Sequence, residues 1–334
     1  MGQGAYIFAP LGPDLTPDER AFFSETQPWG FILFARNIEA PDQVRRLTSE
    51  LRASAGRDAP ILIDQEGGRV QRMRAPHWRE WGPPLEQAGL AGTETERSFW
   101  LRFRIIAQEL LDVGIDVNCV PTCDLAQTDT HAVLRNRCYG ASPETVTSIA
   151  RAVVDGMAAG GVLPVMKHMP GHGRATVDSH LDLPRVTASE DVLDGSDFAV
   201  FRNLADLPMG MSAHLVFEAL SDRAATIDPH MVALIRDRIG FAGLLMTDDI
   251  SMEALDGDVA SRSSAALAAG CDMVLHCNGK LDEMMSVART AGTMSASAQA
   301  RADAALACRT PPQPIDIAAA EAEFKAIMAK RAAG

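Results

Sequence analysis

The segment Lys167-His168-Met-Pro170-Gly171-His172-Gly173-Arg-Ala-Thr-Val-Asp178-Ser-His180 sets three histidines, a lysine and an aspartate along one short stretch that Pro170, Gly171 and Gly173 force to turn. Side chains that titrate near neutrality, crowded on a turning segment, suit proton transfer better than packing. Asp178 and His180 are two residues apart, so in extended chain their side chains face the same way. A carboxylate beside an imidazole fixes its tautomer and steadies its protonated form. His168, His172, Asp178 and His180 are also competent metal ligands. However, there is no His-Glu-x-x-His, and Pro170-Gly171 between His168 and His172 is incompatible with a helical ligand pair, so neither a metal nor another cofactor is expected.

Such a segment must be held by the elements around it. Short apolar runs predict strands near 5–9, 30–35, 60–64, 116–121, 163–167, 208–214, 243–248 and 272–277. Amphipathic stretches between them predict helices over 41–55, 94–113, 143–159, 193–204, 229–239, 260–269 and 281–291. Ser142-Pro143-Glu144 and Asp228-Pro229 are helix starts of the capping-residue-then-proline kind, and Gly160-Gly161 is a stop. Strands alternating with helices predict an α/β fold, a single (β/α)₈ barrel over 1–310. A doubly wound open sheet is the competing α/β architecture, but no Gly-x-Gly-x-x-Gly follows the first strand to support a dinucleotide fold. Pro311-Pro312-Gln313-Pro314 breaks the chain before a final Ala/Glu/Lys-rich helix in 311–334, expected to dock on the barrel.

Polar residues collect at the C-terminal ends of these strands, where barrels carry catalysis. The third strand ends at Asp64 and continues Gln65-Glu66-Gly67-Gly68-Arg69-Val70-Gln71-Arg72. The fourth runs to Asp124, with Arg135 and Arg137 beyond it. The fifth supplies Lys167 and His168, the sixth His214, the seventh Asp248 and Asp249, and the eighth His276 and Asn278. His276 reads better as a satisfied core histidine than as a ligand contact.

Composition narrows the function classes. A net charge of −13 and no basic run argue against nucleic-acid binding, which needs a basic face. Six cysteines without a CxxC pair or zinc spacing read as reduced thiols. The N-terminal stretch lacks a secretory n-region, and no apolar run is long enough to span a bilayer, so a cytoplasmic protein without membrane contact is expected. A monomer is expected as well.

Lys167-His168-x-Pro-Gly-His-Gly followed by Asp178-Ser-His180 resembles the signature loop of bacterial β-N-acetylglucosaminidases of glycoside hydrolase family 3. Asp64 to Arg72 resembles that subfamily's sugar-binding strand end, and Gly243-Leu-Leu-Met-Thr-Asp248-Asp-Ile-Ser is similar to the family's nucleophile region. Leu234-Ile-Arg-Asp-Arg238, Ala269-Gly-Cys-Asp-Met-Val-Leu275 and Ile32-Leu-Phe-Ala-Arg-Asn37 extend the likeness over roughly residues 5 to 280. The resemblance implies a retaining exo-glycosidase that removes terminal β-linked N-acetylglucosamine from small peptidoglycan fragments, N-acetylglucosaminyl-1,6-anhydro-N-acetylmuramic acid with or without peptide, in cell-wall recycling. It implies Asp248 as nucleophile, His180 as general acid/base with Asp178 as its partner, and Asp64, Arg72, Arg137, Lys167, His168 and His214 as sugar-binding residues. Retaining glycosidases ordinarily pair two carboxylates about 5–5.5 Å apart; an imidazole would replace one of them here.

Two other chemistries fit parts of this pattern. A phosphorylase would use the same glycosyl-enzyme and admit phosphate in place of water. Lys167 at a strand end could instead form a Schiff base, as in barrel aldolases.

Overall fold

The computed structural model describes residues 2–176 and 183–329. The strands are β1 (Gly4–Phe8), β2 (Pro28–Leu33), β3 (Ile61–Ile63), β4 (Val117–Asn118), β5 (163–169, interrupted at Val165), β6 (Met209–Ser212), β7 (Leu244–Asp249) and β8 (Met273–His276). All pair in parallel. The order is β4-β3-β2-β1-β8-β7-β6-β5, and β5 closes the ring. Its first half pairs with β4 (Val117 with Leu163), and its second half pairs with β6 (Gly210 with Met166, Ser212 with Met169). The result is the expected (β/α)₈ barrel.

The period-two alternation of strand side chains sorts the core into two layers. Ile7, Ile32, Leu62, Val117, Leu163, Val165, Met209, Met211, Leu244, Met246, Met273 and Leu275 fill the barrel interior. Their neighbours Phe8, Phe31, Ile61, Ile63, Leu245 and Val274 pack outward under the helices. Helix Ala296–Ala307 contributes Ala302 and Ala305 to the inner layer, and Arg301 pairs at 2.8 Å with Asp272, just before β8. That helix covers the N-terminal end of the barrel, leaving the C-terminal end open.

Helix starts follow the capping residues in the sequence: the Ser142 side chain accepts from Thr145 N–H at 3.3 Å, and the Asp228 side chain accepts from His230 N–H at 2.9 Å. Two expected helices are interrupted. The one over 193–204 is two, Glu190–Gly195 and Asp197–Asn203, separated at Ser196. The one over 229–239 is α-helical only at Pro229–Ala233 and continues as a wider π turn at Leu234–Arg238. There Arg236 is drawn to the carbonyls of Phe241 and Gly243 and to Asp272 (2.7 Å).

Near the C-terminus, helix Ile317–Ala329 packs on Thr95–Leu111. Phe324 meets the Trp81 ring edge-on with centroids 5.2 Å apart, and Glu321 pairs with Arg79 at 2.8 Å. No helix among the described residues is long and apolar enough to cross a membrane.

Candidate active site

After β3 the chain makes a small antiparallel hairpin, Gln65–Gly67 against Val70–Gln71. Two glutamines hold it. Gln65 accepts from the N–H groups of Arg72 (2.9 Å) and Met73 (3.1 Å) and donates to Met73 C=O. Gln71 donates to the carbonyls of Met73 and Arg79 and accepts from Trp81 N–H. At the turn, Gly67 and Gly68 adopt φ of +98° and +59°, the left-handed region that favours glycine.

The fully buried Arg102 guanidinium fits against Gly67, where a Cβ would overlap it, and donates to Glu66 C=O and to Gln87 Oε1 (2.6 Å). Burial without a carboxylate partner pulls its pKa down to about 10. Gly67→Ala should therefore cost on the order of 3 kcal/mol, since it combines an unfavourable φ with displacement of a buried arginine. Comparing denaturant midpoints of the two proteins measures this, and a loss below about 0.5 kcal/mol would show that the turn is not constrained as described.

The hairpin delivers two carboxylates to one buried network. Asp64 Oδ1 accepts from Lys167 Nζ at 2.7 Å, and its Oδ2 accepts from Arg72 at 2.9 Å. Glu66 pairs with the same Lys167 Nζ at 2.6 Å and receives a two-pronged contact from Arg137 at 2.7 and 2.9 Å. Burial opposes the Asp64 anion, yet Lys167 and Arg72 hold its carboxyl well below the usual range. Burial likewise opposes Glu66, and Arg137 with Lys167 brings it down to about 2. Lys167 is only 2 % exposed, and the two carboxylates keep it protonated against desolvation. A lysine held as a cation at neutral pH is a poor amine nucleophile, which disfavours the Schiff-base reading.

Beside this network, Asp124 accepts from His168 Nδ1 at 2.7 Å and from His172 N–H at 2.7 Å. The other His168 nitrogen, Nε2, lies 3.4 Å from Arg137. Burial, followed by the neighbouring His168, lowers the His172 pKa to about 4, so that ring is neutral at physiological pH. On the hairpin side, the guanidinium groups of Arg36 and Arg72 lie 5.1 and 5.0 Å from the Phe34 ring centroid.

At the end of β7 two adjacent aspartates have different surroundings. The Asp249 carboxylate is taken up by Ser251 N–H (3.0 Å), Ser251 Oγ (2.8 Å) and Cys277 N–H (3.1 Å). Asp248 accepts, among the described residues, a single hydrogen bond, from Asp249 N–H at 2.8 Å. Burial would raise its pKa, but His168, His214, that N–H and Lys167 together lower it, so Asp248 is ionised at neutral pH.

Asp64, Arg72, Arg137, Lys167, His168 and Asp248 line one cavity of about 910 Å³, counting its open mouth. His214, expected as a sugar contact, does not line it. Its Nδ1 is 2.8 Å from Thr226 Oγ1 and its Nε2 is 3.0 Å from the Asp249 carbonyl, so both ring nitrogens are engaged within the protein. Burial lowers its pKa, and the ring steadies the β7 end rather than meeting solvent. His276 is likewise buried, with Nε2 3.1 Å from Glu283. Asp178 and His180 lie outside the described residues.

The fold and the geometry can be set beside known proteins. Residues 14–307 match the glycosyl hydrolase family 3 N terminal domain. The chain belongs to glycosyl hydrolase family 3. It is 37% identical over 278 residues to a beta-hexosaminidase of Alkalilimnicola ehrlichii, covering 80% of this chain and 78% of that protein. A beta-hexosaminidase of Methylococcus capsulatus is 39% identical over 282 residues, covering 81% and 82% respectively. Among solved structures, NagZ from Neisseria gonorrhoeae in complex with N-trifluoroacetyl-D-glucosamine superposes with a TM-score of 0.84 at 28% identity, over 100% of this chain and 98% of that one.

Three groups of this family 3 site have no catalytic or sugar-binding role assigned from the sequence: Glu66 and Asp124, buried within the network, and His172, which lines the cavity. Glu66 carried a usable signal. It is two residues from Asp64, so strand alternation puts both side chains on one side.

Proposed function

We propose that the protein is a retaining exo-β-N-acetylglucosaminidase acting on N-acetylglucosaminyl-1,6-anhydro-N-acetylmuramic acid fragments of peptidoglycan in the cytoplasm. The observation that carries this reading is Asp248, an ionised carboxylate with a single hydrogen bond among the described residues, beside a network of Asp64, Glu66, Lys167 and Arg137 in a family 3 barrel. In the proposed reaction Asp248 attacks the anomeric carbon while His180, partnered by Asp178, gives a proton to the departing glycosidic oxygen. Water, deprotonated by His180, then attacks the same carbon, releasing the sugar and restoring Asp248.

Asp64, Arg72, Arg137, Lys167 and His168 would hold the sugar. The pairs of Asp64 with Arg72 and Lys167, of Arg137 with Glu66 and of His168 with Asp124 support this role, because donors and acceptors fixed before substrate arrives need no reorganisation when it binds. Residues 1–310 would form the catalytic barrel, working as a monomer, with the C-terminal helix as an appendage. Relatives named beta-hexosaminidase favour water over phosphate as the second nucleophile.

The test is direct. An aryl β-N-acetylglucosaminide should be turned over at least 100-fold faster than the matching β-glucoside, on the order of the discrimination that a polar-contact site achieves. The rate and product should be the same with and without inorganic phosphate. Equal turnover of the two glycosides would sink the substrate assignment, and a sugar 1-phosphate product would sink hydrolysis.

A further inference from the structure

Four cations line the cavity: Arg69, Arg72, Arg137 and Lys167. Three are committed to carboxylates, Arg72 to Asp64, Arg137 to Glu66, and Lys167 to both. The Arg69 side chain has no hydrogen bond or ion pair among the described residues. Its backbone, by contrast, is pinned. Arg74, paired with Glu80 at 2.8 Å, donates to Gly68 C=O at 2.9 Å and to Arg69 C=O at 3.4 Å. Gly68 N–H donates to Trp81 C=O at 2.8 Å. A guanidinium without a partner among the described residues is thus presented from a fixed hairpin tip.

Exposure orders these groups from the depth of the cavity to its mouth. Lys167 and Arg137 are buried, Asp64 and Arg72 are half-buried, and Arg69 is exposed. An enzyme that removes a terminal sugar holds that sugar at the closed end and the leaving group toward the mouth. Arg69 therefore stands on the leaving-group side. The chain as a whole carries a net charge of −13, a field that repels an anionic substrate unless a local cation offsets it.

We propose that Arg69 binds a carboxylate on the leaving group and so selects N-acetylglucosaminides whose aglycone is an acid. The inference rests on the glycosidase reading above and adds a selectivity residue to it. Guanidinium suits this task because its planar fork can make two parallel hydrogen bonds to a carboxylate.

The experiment compares kcat/KM for two aryl β-N-acetylglucosaminides, one neutral and one bearing a ring carboxylate. It is run on the full chain and on its Arg69→Lys, Arg69→Gln and Arg69→Glu variants. Differences in leaving-group acidity cancel when the carboxylate-to-neutral ratio is compared between proteins. The ratio should fall about tenfold in Arg69→Gln, the scale of one charge-assisted hydrogen bond at a partly solvated site. It should fall further in Arg69→Glu and by an intermediate amount in Arg69→Lys. An unchanged ratio across the series, with the neutral substrate still turned over, overturns the role of Arg69 and leaves the glycosidase reading intact. Failure of the unsubstituted protein to turn over either substrate overturns both.

Discussion

Asp248→Asn should lower turnover of an aryl β-N-acetylglucosaminide by on the order of 10⁴-fold or more, the scale seen when a covalent nucleophile is removed. The amide is nearly the same size and can keep the contact with Asp249 N–H, so the fold should survive; what disappears is the anion that bonds to the anomeric carbon. Asp249→Asn is the informative neighbour. Its carboxylate is occupied by Ser251 and the Cys277 N–H, holding the β7 end in shape. Replacing one oxygen with an NH₂ group disturbs those contacts and should cost about 1–2 kcal/mol of stability, with a modest effect on rate. Steady-state kinetics of the two variants, with circular dichroism to verify folding, separates the roles. Equal losses of activity in two folded variants would leave no ground for preferring Asp248 as the nucleophile.

The barrel was legible because its two signals are local. Runs such as Gly243-Leu-Leu-Met and Asp272-Met-Val-Leu are short, apolar and separated by amphipathic stretches, and alternation along them sorts side chains into inner and outer layers. Position at a strand end was legible for the same reason, which is why Asp64, Lys167, His168 and Asp248 were placed together. What a strand-end residue does there depends on partners that are distant in sequence. His214 has a site-like position, but Thr226 and the Asp249 carbonyl occupy its ring. Glu66 belongs to the site because Arg137 and Lys167, both far along the chain, converge on it. The hairpin after β3 was not expected either, since its glutamines earn their place through tertiary contacts to Met73, Arg79 and Trp81 rather than through propensity. The π turn at Leu234–Arg238 is a similar case, with Arg236 bonded to Asp272 and to nearby carbonyls.

His180→Ala should injure the enzyme in proportion to how much its leaving group needs a proton. A sugar alkoxide is a poor leaving group and requires protonation as the bond breaks. Loss of the general acid should therefore cost about 10³-fold on a disaccharide, within the usual range for such groups. An activated phenolate leaves readily without help, so formation of the glycosyl-enzyme from an aryl substrate should be much less affected. The second step has no such escape, because water must still be deprotonated. The variant should therefore accumulate the Asp248 glycosyl-enzyme on the aryl substrate, seen as a burst of phenol before a slow steady state. Asp178→Ala should show the same trend more weakly, since Asp178 would tune and orient the imidazole without itself transferring the proton. Stopped-flow measurement of phenol release, set beside disaccharide hydrolysis, reads both steps. Equal losses on the two substrates with no burst would mean that His180 contributes only to binding, and the proton would then have to come from another group, with Asp178 the first to test.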